Sequence, residues 1–538
     1  MMSDSLPSIA RTIQTGETYL GIELGSTRIK ASLITPQGHE IATGSHTWEN
    51  QIIEGHWSYS EEAIWTGLSA SYADLAGNVQ EKFGVPLTNI KGAGISAMMH
   101  GYMAFDADGN LLVPFRTWRD TSTRKAADYL TEHLGVNIPL RWSISHLYQS
   151  ILNHEDHLDR INFFTTLSGY IHWKLTGERV LGIGDASGMF PIDSKIANYN
   201  QEIIQKFNKI AGRYLPHNDI LELLPQVLQA GQNAGNLTIE GANLLDPTGK
   251  LQAGVPFCPP EGDAGTGMVA TNAVRIRTGN VSVGTSIFAM VVLEQPLNKL
   301  HRNLDLVTTP SGEAVAMVHC NNGADELSKW IGLFSEVALA FGTKKEVNIN
   351  EAYEAILQEA FSGSPDAGGI IVYNTISGEP VVELSEGRPL FARTSNAQLT
   401  LGNFMRAQLY SVFAALAIGF EDLHEEQVSL DFLNAHGGLF KTPAVGQRFL
   451  AAATQTPIVV AESAGEGGAW GIALLASYLD HSSEKSLADY LDQEIFKDSH
   501  STTLVPKPAD IAGFKTFLSR YRSGLKIEKT AVETITNF

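Results

Sequence analysis

The sequence predicts an α/β protein built from two similar domains, and three observations predict it. Strand-like and helix-like stretches alternate along most of the chain. The 538 residues, 43% of them hydrophobic, exceed what one core organises. A pattern of strand, glycine, two hydroxyl residues and strand also occurs twice, about 260 residues apart.

The elements follow in order. Residues 19–25, 28–35 and 39–48 read as a three-stranded meander, with Gly38 in "TPQGH" supplying the second turn. Helical patterns follow at 60–83, 120–134 and 145–158, and the strand-like "IKGAGISA" lies between the first two. From 200 to 249 the chain is polar and helix-rich, which reads as a helical insertion. The second hairpin, "RTGNVSVGTSIFAMVVLE", occupies 277–294 and aligns Gly284-Thr285-Ser286 with Gly25-Ser26-Thr27. Near the C-terminus, Gly437-Gly438 ends a strand, a helix runs through Gly446 to Ala453, "TPIVVAE" is a strand, and a small-residue helix opens at Gly465. Beyond 480 the chain is polar and then helical through "IAGFKTFLSRYRSGLKI". That tail either caps the second domain or makes an oligomer contact.

Charge and cysteine content exclude several functions. A formal net charge of -20 repels polyanions, so neither a nucleic-acid nor an anionic-membrane partner is expected. Cys258 and Cys320 are too few for a disulfide framework, and no Cys/His spacing suggests zinc. The N-terminal stretch lacks the basic start and apolar run of a signal peptide, and no segment has the apolar length of a membrane span. The expected localisation is cytoplasmic.

The candidate chemistry lies in glycine-rich corners. Consecutive N–H groups in a tight glycine turn make an anion-binding concavity, to which hydroxyls add donors. Two such hairpins facing each other would hold a polyphosphate from both sides. Gly-Gly followed by Lys441-Thr442 at a strand-to-helix turn is a third such corner, although the Walker A spacing is absent. In "FCPPEGDAGTGMVATN", Asp263 stands in a glycine-lined corner just before the second hairpin, where a general base for a hydroxyl nucleophile is needed. Its other reading is a turn former or helix cap.

Together these pieces resemble the FGGY family of carbohydrate kinases, over nearly the whole chain from Tyr19 to about Leu479. "GIELGSTRIK" is similar to the family's first phosphate motif, although Glu23 stands where the family usually has Asp. "SAMMHGYMAFD" resembles the Met-His-Gly sugar motif, "RTWRDTS" the Trp-x-Asp segment and "GIGDASGM" the Asp-Ala-x-Gly stretch. "EGDAGTGM" resembles the catalytic Gly-Asp segment and "TGNVSVGTS" the second phosphate motif, while "GGLFKTP" and "AGEGGAWGIALLA" are similar to the adenosine-side glycine motifs.

The resemblance implies two ribonuclease-H-like (actin/hexokinase ATPase) domains with a central cleft. They are drawn at 17–270 for the sugar side and 271–480 for the nucleotide side, with a helical extension at 481–538. It implies ATP and Mg2+ as cofactors and a ketopentose substrate, L-ribulose or D-xylulose, phosphorylated on a terminal hydroxyl. Other readings are another sugar or polyol, an actin-like ATPase, or a sugar sensor without kinase activity. Asp263 is the implied base, and Met99, His100 and Asp120 line the sugar pocket with it. Gly25, Ser26, Thr27, Lys30, Gly284, Thr285, Gly437, Gly438 and Lys441 surround the nucleotide, and Glu23 faces the metal. Asp185 reads equally as a sugar-facing or a turn residue. One reading of the assembly is a homodimer.

Overall fold

A computed structural model describes residues 6–342, 348–461 and 467–535. The chain forms two compact units, and both are discontinuous in sequence. Of the described residues, the first contains 6–274, 306–315 and 467–498, and the second contains 275–305, 316–342, 348–461 and 499–535. The sequence reading drew continuous domains. The stretch after 466 groups with the first unit by packing, and packing partners hundreds of residues apart leave no local signal.

The first unit is built on a five-stranded sheet of order β5-β4-β1-β2-β3. Its strands are β1 (Tyr19–Leu24), β2 (Arg28–Ile34), β3 (Glu40–Thr47), β4 (Gly92–Ala97) and β5 (Glu261–Gly262). β1, β2 and β3 form the expected antiparallel meander, while β4 and β5 run parallel to β1. The carboxyl ends of β1, β4 and β5 therefore lie side by side, the usual place for a ligand crevice in an α/β sheet.

Helices cover both faces of this sheet. Helix Glu61–Phe83 starts on a Ser60 cap that accepts from the Ala63 amide and stops at Gly84 in the left-handed region. It lies so close to β3 that a Cβ on Gly44 would stand 2.3 Å from the Ser71 carbonyl. On the other face runs helix Gly467–Tyr478, where a Cβ on Gly21 would stand 2.0 Å from the Ala469 carbonyl. A Cβ on Gly471 would stand 2.2 Å from the Thr266 carbonyl, so close packing explains that glycine. The expected start of this helix at Gly465 lies outside the described residues. The polar stretch 200–249 has helices Gln201–Ala211 and Ile239–Leu245, and also a short strand, Gln226–Leu228, paired parallel to Val180–Gly182.

A seven-stranded sheet, order β8-β9-β7-β6-β10-β11-β12, includes the strands of the second unit, with residues 306–308 of β8 and 314–315 of β9 counted in the first. The strands are β6 (Thr278–Val283), β7 (Ile287–Val292), β8 (Asp305–Thr308), β9 (Ala314–Cys320), β10 (Phe432–Gly437), β11 (Ile458–Ala461) and β12 (Ser501–Leu504). β6 pairs antiparallel with β7 and parallel with β10, repeating the relation of β1 to β2 and β4. The tail contributes β12, which pairs antiparallel with β11, and then helix Pro508–Thr534. Among the described residues no helix is long and apolar enough to cross a membrane. Cys258 and Cys320 are buried and free.

Candidate active site

The predicted residues fall into one group in each unit. In the first, β1 delivers Glu23 directly opposite Lys30 of β2, an opposite-charge cross-strand pair. The turn Gly25-Ser26-Thr27 follows, closed by the Gly25 amide donating to the Arg28 carbonyl at 3.1 Å. Aromatic donors pin it from behind. Trp48 Nε1 donates to the Gly25 carbonyl at 2.7 Å, Tyr59 Oη to the Ser26 carbonyl at 2.6 Å and Trp118 Nε1 to Ser26 Oγ at 3.2 Å. Thr27 and Lys30 remain exposed.

The end of β4 delivers Met99 and His100, and the end of β5 delivers Asp263. The Met99 amide donates to Asp263 Oδ1 at 3.1 Å. Asp263 opens helix Asp263–Ala270, where the dipole favours its anion. Its side chain is open to solvent on one side, yet burial by the surrounding protein raises its pKa, partly offset by the Met99 and Ala264 amides. Glu23 is half-buried, and its pKa rises to about 7, first through burial and then through the Asp263 charge. Lys30 and the amides of Ala469 and Gly468 pull it back. The carboxylate thus reaches the first turn of helix Gly467–Tyr478, and a Cβ on Gly468 would stand 2.3 Å from Glu23 Oε1.

The "GIGDASGM" stretch cradles Met99 and His100. His100 holds φ +74°, outside the comfortable region for a side chain. A Cβ on Gly188 would stand 2.5 Å from His100 Nδ1 and 2.7 Å from the end of Met99. Asp185 lies fully buried beneath, accepting from Thr166 Oγ1 at 2.7 Å, from Ser168 and from the His100 amide. It is therefore shielded from solvent, and its carbonyl accepts from the Gly188 amide at 3.0 Å in the turn that follows. Burial raises its pKa to about 7, and its Oδ1 has no protein partner. Beside it Glu261 accepts from the Gly184 and Asp185 amides at 3.2 and 2.9 Å, with a pKa raised by burial to about 8.

Asp120 is buried and tied elsewhere. Its Oδ1 accepts from the Ser122 amide at 2.8 Å and its Oδ2 pairs with His56 Nδ1. Burial works to raise its pKa, but Ser122, His146 and His56 outweigh that and hold it below the usual carboxylate value. His56 comes from the short hairpin Gln51–Ile53 and His56–Ser58. Sequence reasoning missed it, because nothing at position 56 signals a partner at position 120.

In the second unit the parallel register sets Val283 beside Gly437. The Gly284-Thr285 turn and the Gly437-Gly438 turn thus leave the sheet side by side, all four residues exposed. Gly437 is required there: φ is +115° and a Cβ would stand 2.1 Å from the Val283 carbonyl. Around Gly438 there is open space, and Lys441 is exposed at the end of the following turn. Backbone donors free of side-chain bulk at the carboxyl end of parallel strands suit a nucleotide's phosphates. Among the described residues, no group of three or more His, Cys, Asp or Glu is arranged to hold a metal by itself.

Two sequence profiles match almost end to end: the N-terminal domain of the FGGY family of carbohydrate kinases over residues 18–270 and its C-terminal domain over 279–479. A xylulose kinase of Staphylococcus xylosus is 24% identical over 235 residues, a match spanning 42% of this chain and about half, 46%, of that enzyme. Among solved structures, the xylulose kinase of Lactobacillus acidophilus superposes with a TM-score of 0.75 at 18% identity, covering 96% of this chain and 99% of that one. The gluconate kinase of the same organism gives 0.75 at 18%, covering 96% and 98%. Likeness at such identities shows the fold, here the duplicated actin/hexokinase-like one, and two enzymes named for different sugars fit it equally well.

Proposed function

The chain belongs to the FGGY family of carbohydrate kinases, and from that premise we propose that it transfers the γ-phosphoryl group of ATP to a terminal hydroxyl of a ketopentose, L-ribulose or D-xylulose. The observation that carries the reading is Asp263, a carboxylate of raised pKa held by the Met99 amide beside His100. A base whose pKa lies nearer to neutrality takes a proton with more driving force than an ordinary aspartate. Asp263 accepts the proton of the attacking hydroxyl while the sugar oxygen bonds to phosphorus and the bond to the ADP oxygen breaks.

Bound Mg-ATP supplies the phosphoryl group and offsets its charge. In the first unit the candidate phosphate donors are the amides and hydroxyls of Gly25-Ser26-Thr27, with Lys30 alongside; in the second they are those of Gly284-Thr285, with Gly437, Gly438 and Lys441 as candidate nucleotide contacts. Glu23 and Asp263 are the carboxylates that would hold a hydrated magnesium ion, which would supply charge neutralisation for the phosphates. His100 offers a ring nitrogen to a sugar hydroxyl, and Asp120 with His56 extends the polar lining.

The test is a panel of pentuloses, ketohexoses, gluconate and polyols with ATP and magnesium, read by coupled ADP release. A preferred ketopentose supports the reading, and a preferred substrate of another class overturns the sugar while keeping the kinase. Asp263→Asn is expected to lower kcat by roughly a thousandfold or more while leaving the circular dichroism spectrum unchanged. Near-normal turnover in that variant removes Asp263 as the base.

A further inference from the structure

Two buried carboxylates of the second unit take no part in this chemistry. Glu379 and Glu528 are each 0% exposed in a chain already rich in negative charge. Burying a carboxylate costs several kcal/mol unless donors surround it, so what those donors hold in place is informative. We infer that Asn322, together with helix Pro508–Thr534, is a positioning device for the nucleotide turn Gly284-Thr285, acting through the strap 375–388. This rests on the nucleotide reading of that turn.

The contacts run in one direction through the unit. Behind the exposed turn, the Gly323 amide donates to the Thr285 carbonyl at 2.7 Å and the Ala324 amide to the Gly284 carbonyl at 2.9 Å. The approach is close enough that a Cβ on Gly323 would stand 2.2 Å from the Gly284 carbonyl. Next door, Asn322 closes a ring of bonds with the strap. Its Oδ1 accepts from the Ile376 and Ser377 amides at 2.8 and 3.0 Å, and its Nδ2 donates to the Ser377 carbonyl at 3.2 Å and Glu379 Oε2 at 3.1 Å. Its main-chain amide also donates to Glu379 Oε2, at 3.2 Å. Asn321 adds a bond to the Gly378 carbonyl at 2.8 Å.

The strap is anchored in turn on the terminal helix. Both Thr375 Oγ1 and the Arg388 amide, the latter at 2.8 Å, donate to Glu528 Oε1. Tyr373 Oη donates to the Tyr521 carbonyl at 2.7 Å. A glycine turn left to itself samples many conformations, whereas phosphate-binding amides act through prior alignment. The bracket supplies that alignment, and it gives the C-terminal helix a task beyond covering the unit.

The test uses the full chain. Magnesium with ADP is titrated calorimetrically into the parent, Asn322→Ala, Glu528→Ala and Glu379→Gln, and KM is measured for ATP and for the preferred sugar. Asn322 is half-buried, so its variant folds, and its lost bonds are expected to weaken ADP and raise the KM for ATP about tenfold. The sugar's KM stays within about twofold. Glu528→Ala shows the same split more weakly, and Glu379→Gln, which keeps an acceptor for the Asn322 amides, binds ADP like the parent. If Asn322→Ala binds ADP as the parent does, the device is refuted. If only the unfolding midpoint of Glu528→Ala falls, the helix is a cap and its part in the device is refuted. A parent that binds no magnesium-ADP refutes the nucleotide reading itself, and the device with it.

Discussion

At the scale of single residues, the carboxylate at position 23 is the informative one. Glutamate is one methylene longer than the aspartate usual in the family, and the added reach brings its oxygens to the Gly468 and Ala469 amides while keeping the charge near Asp263 and Lys30. Gly468 is the residue that leaves room for it. Gly468→Ala places a Cβ 2.3 Å from Glu23 Oε1 and 2.8 Å from Thr266 Oγ1, so the flexible carboxylate must move by about 1 Å to reach ordinary van der Waals contact. Displacements of about 1 Å in a site commonly cost up to a hundredfold in rate. We expect Gly468→Ala to lower kcat about ten- to a hundredfold and to shift the magnesium dependence, with an unchanged or lower unfolding midpoint because overpacking offsets the helix preference of alanine. An unchanged magnesium profile would show that the position of Glu23 is not used.

At the scale of elements, the terminal helix is held by charge as well as by its apolar face. Asp510 accepts from Arg448 Nε at 2.7 Å and Nη2 at 2.9 Å, and from Arg406 Nη1 at 3.3 Å, and the Arg406 side chain is 1% exposed. Burial works to raise the Asp510 pKa, but the Arg448 hydrogen bonds and both guanidinium charges outweigh it and hold it low. Its stabilising contribution is therefore complete above the unfolded carboxylate value of about 4 and is lost as the pH falls through the lower folded value. Asp510→Ala leaves Arg406 buried without its counter-charge, and we expect a loss of about 3–5 kcal/mol in urea unfolding at neutral pH. A loss below about 1 kcal/mol would show the triad to be dispensable. The meander was legible because apolar strands and glycine turns mark themselves locally, as at Gly38. β12 was not, because "STTL" is a mostly exposed edge strand inside a polar tail, paired only through the backbone. The motif positions were legible in the same local way, as with Asp263 after its Pro-Pro break. Their partners were not: His56 meets Asp120, Asp185 holds His100, and the Gly323 and Ala324 amides back the second turn, each across a sequence distance that only the fold closes.

For the whole molecule, the titrations of buried groups combine into a stability profile with a predictable sign. Burial pushes Glu23, Asp185 and Glu379 up to about 7 and Glu261 up to about 8. A carboxyl group that ionises later in the folded chain than in the unfolded one favours folding at low pH, and that advantage is lost as the pH rises through the folded value. Burial has the opposite effect on three histidines, lowering His146 to about 3 and His157 and His172 to about 4. These penalise the folded state below the unfolded histidine value of about 6.5 and contribute no slope above it. The two sets oppose each other between about pH 4.5 and 6.5, and above that range only the carboxylates act. The ligand-free protein should therefore be most stable on the acid side of neutrality, with its unfolding midpoint falling between about pH 6.5 and 8. Scanning calorimetry across that interval, at constant ionic strength, measures the slope. Glu379→Gln should flatten it, because Oε2 retains its Asn322 donors and the amide nitrogen takes the place of the unpartnered Oε1. A midpoint that rises through this interval, or a slope indifferent to Glu379→Gln, would mean that these carboxyl groups are ionised in the folded chain already at mildly acid pH.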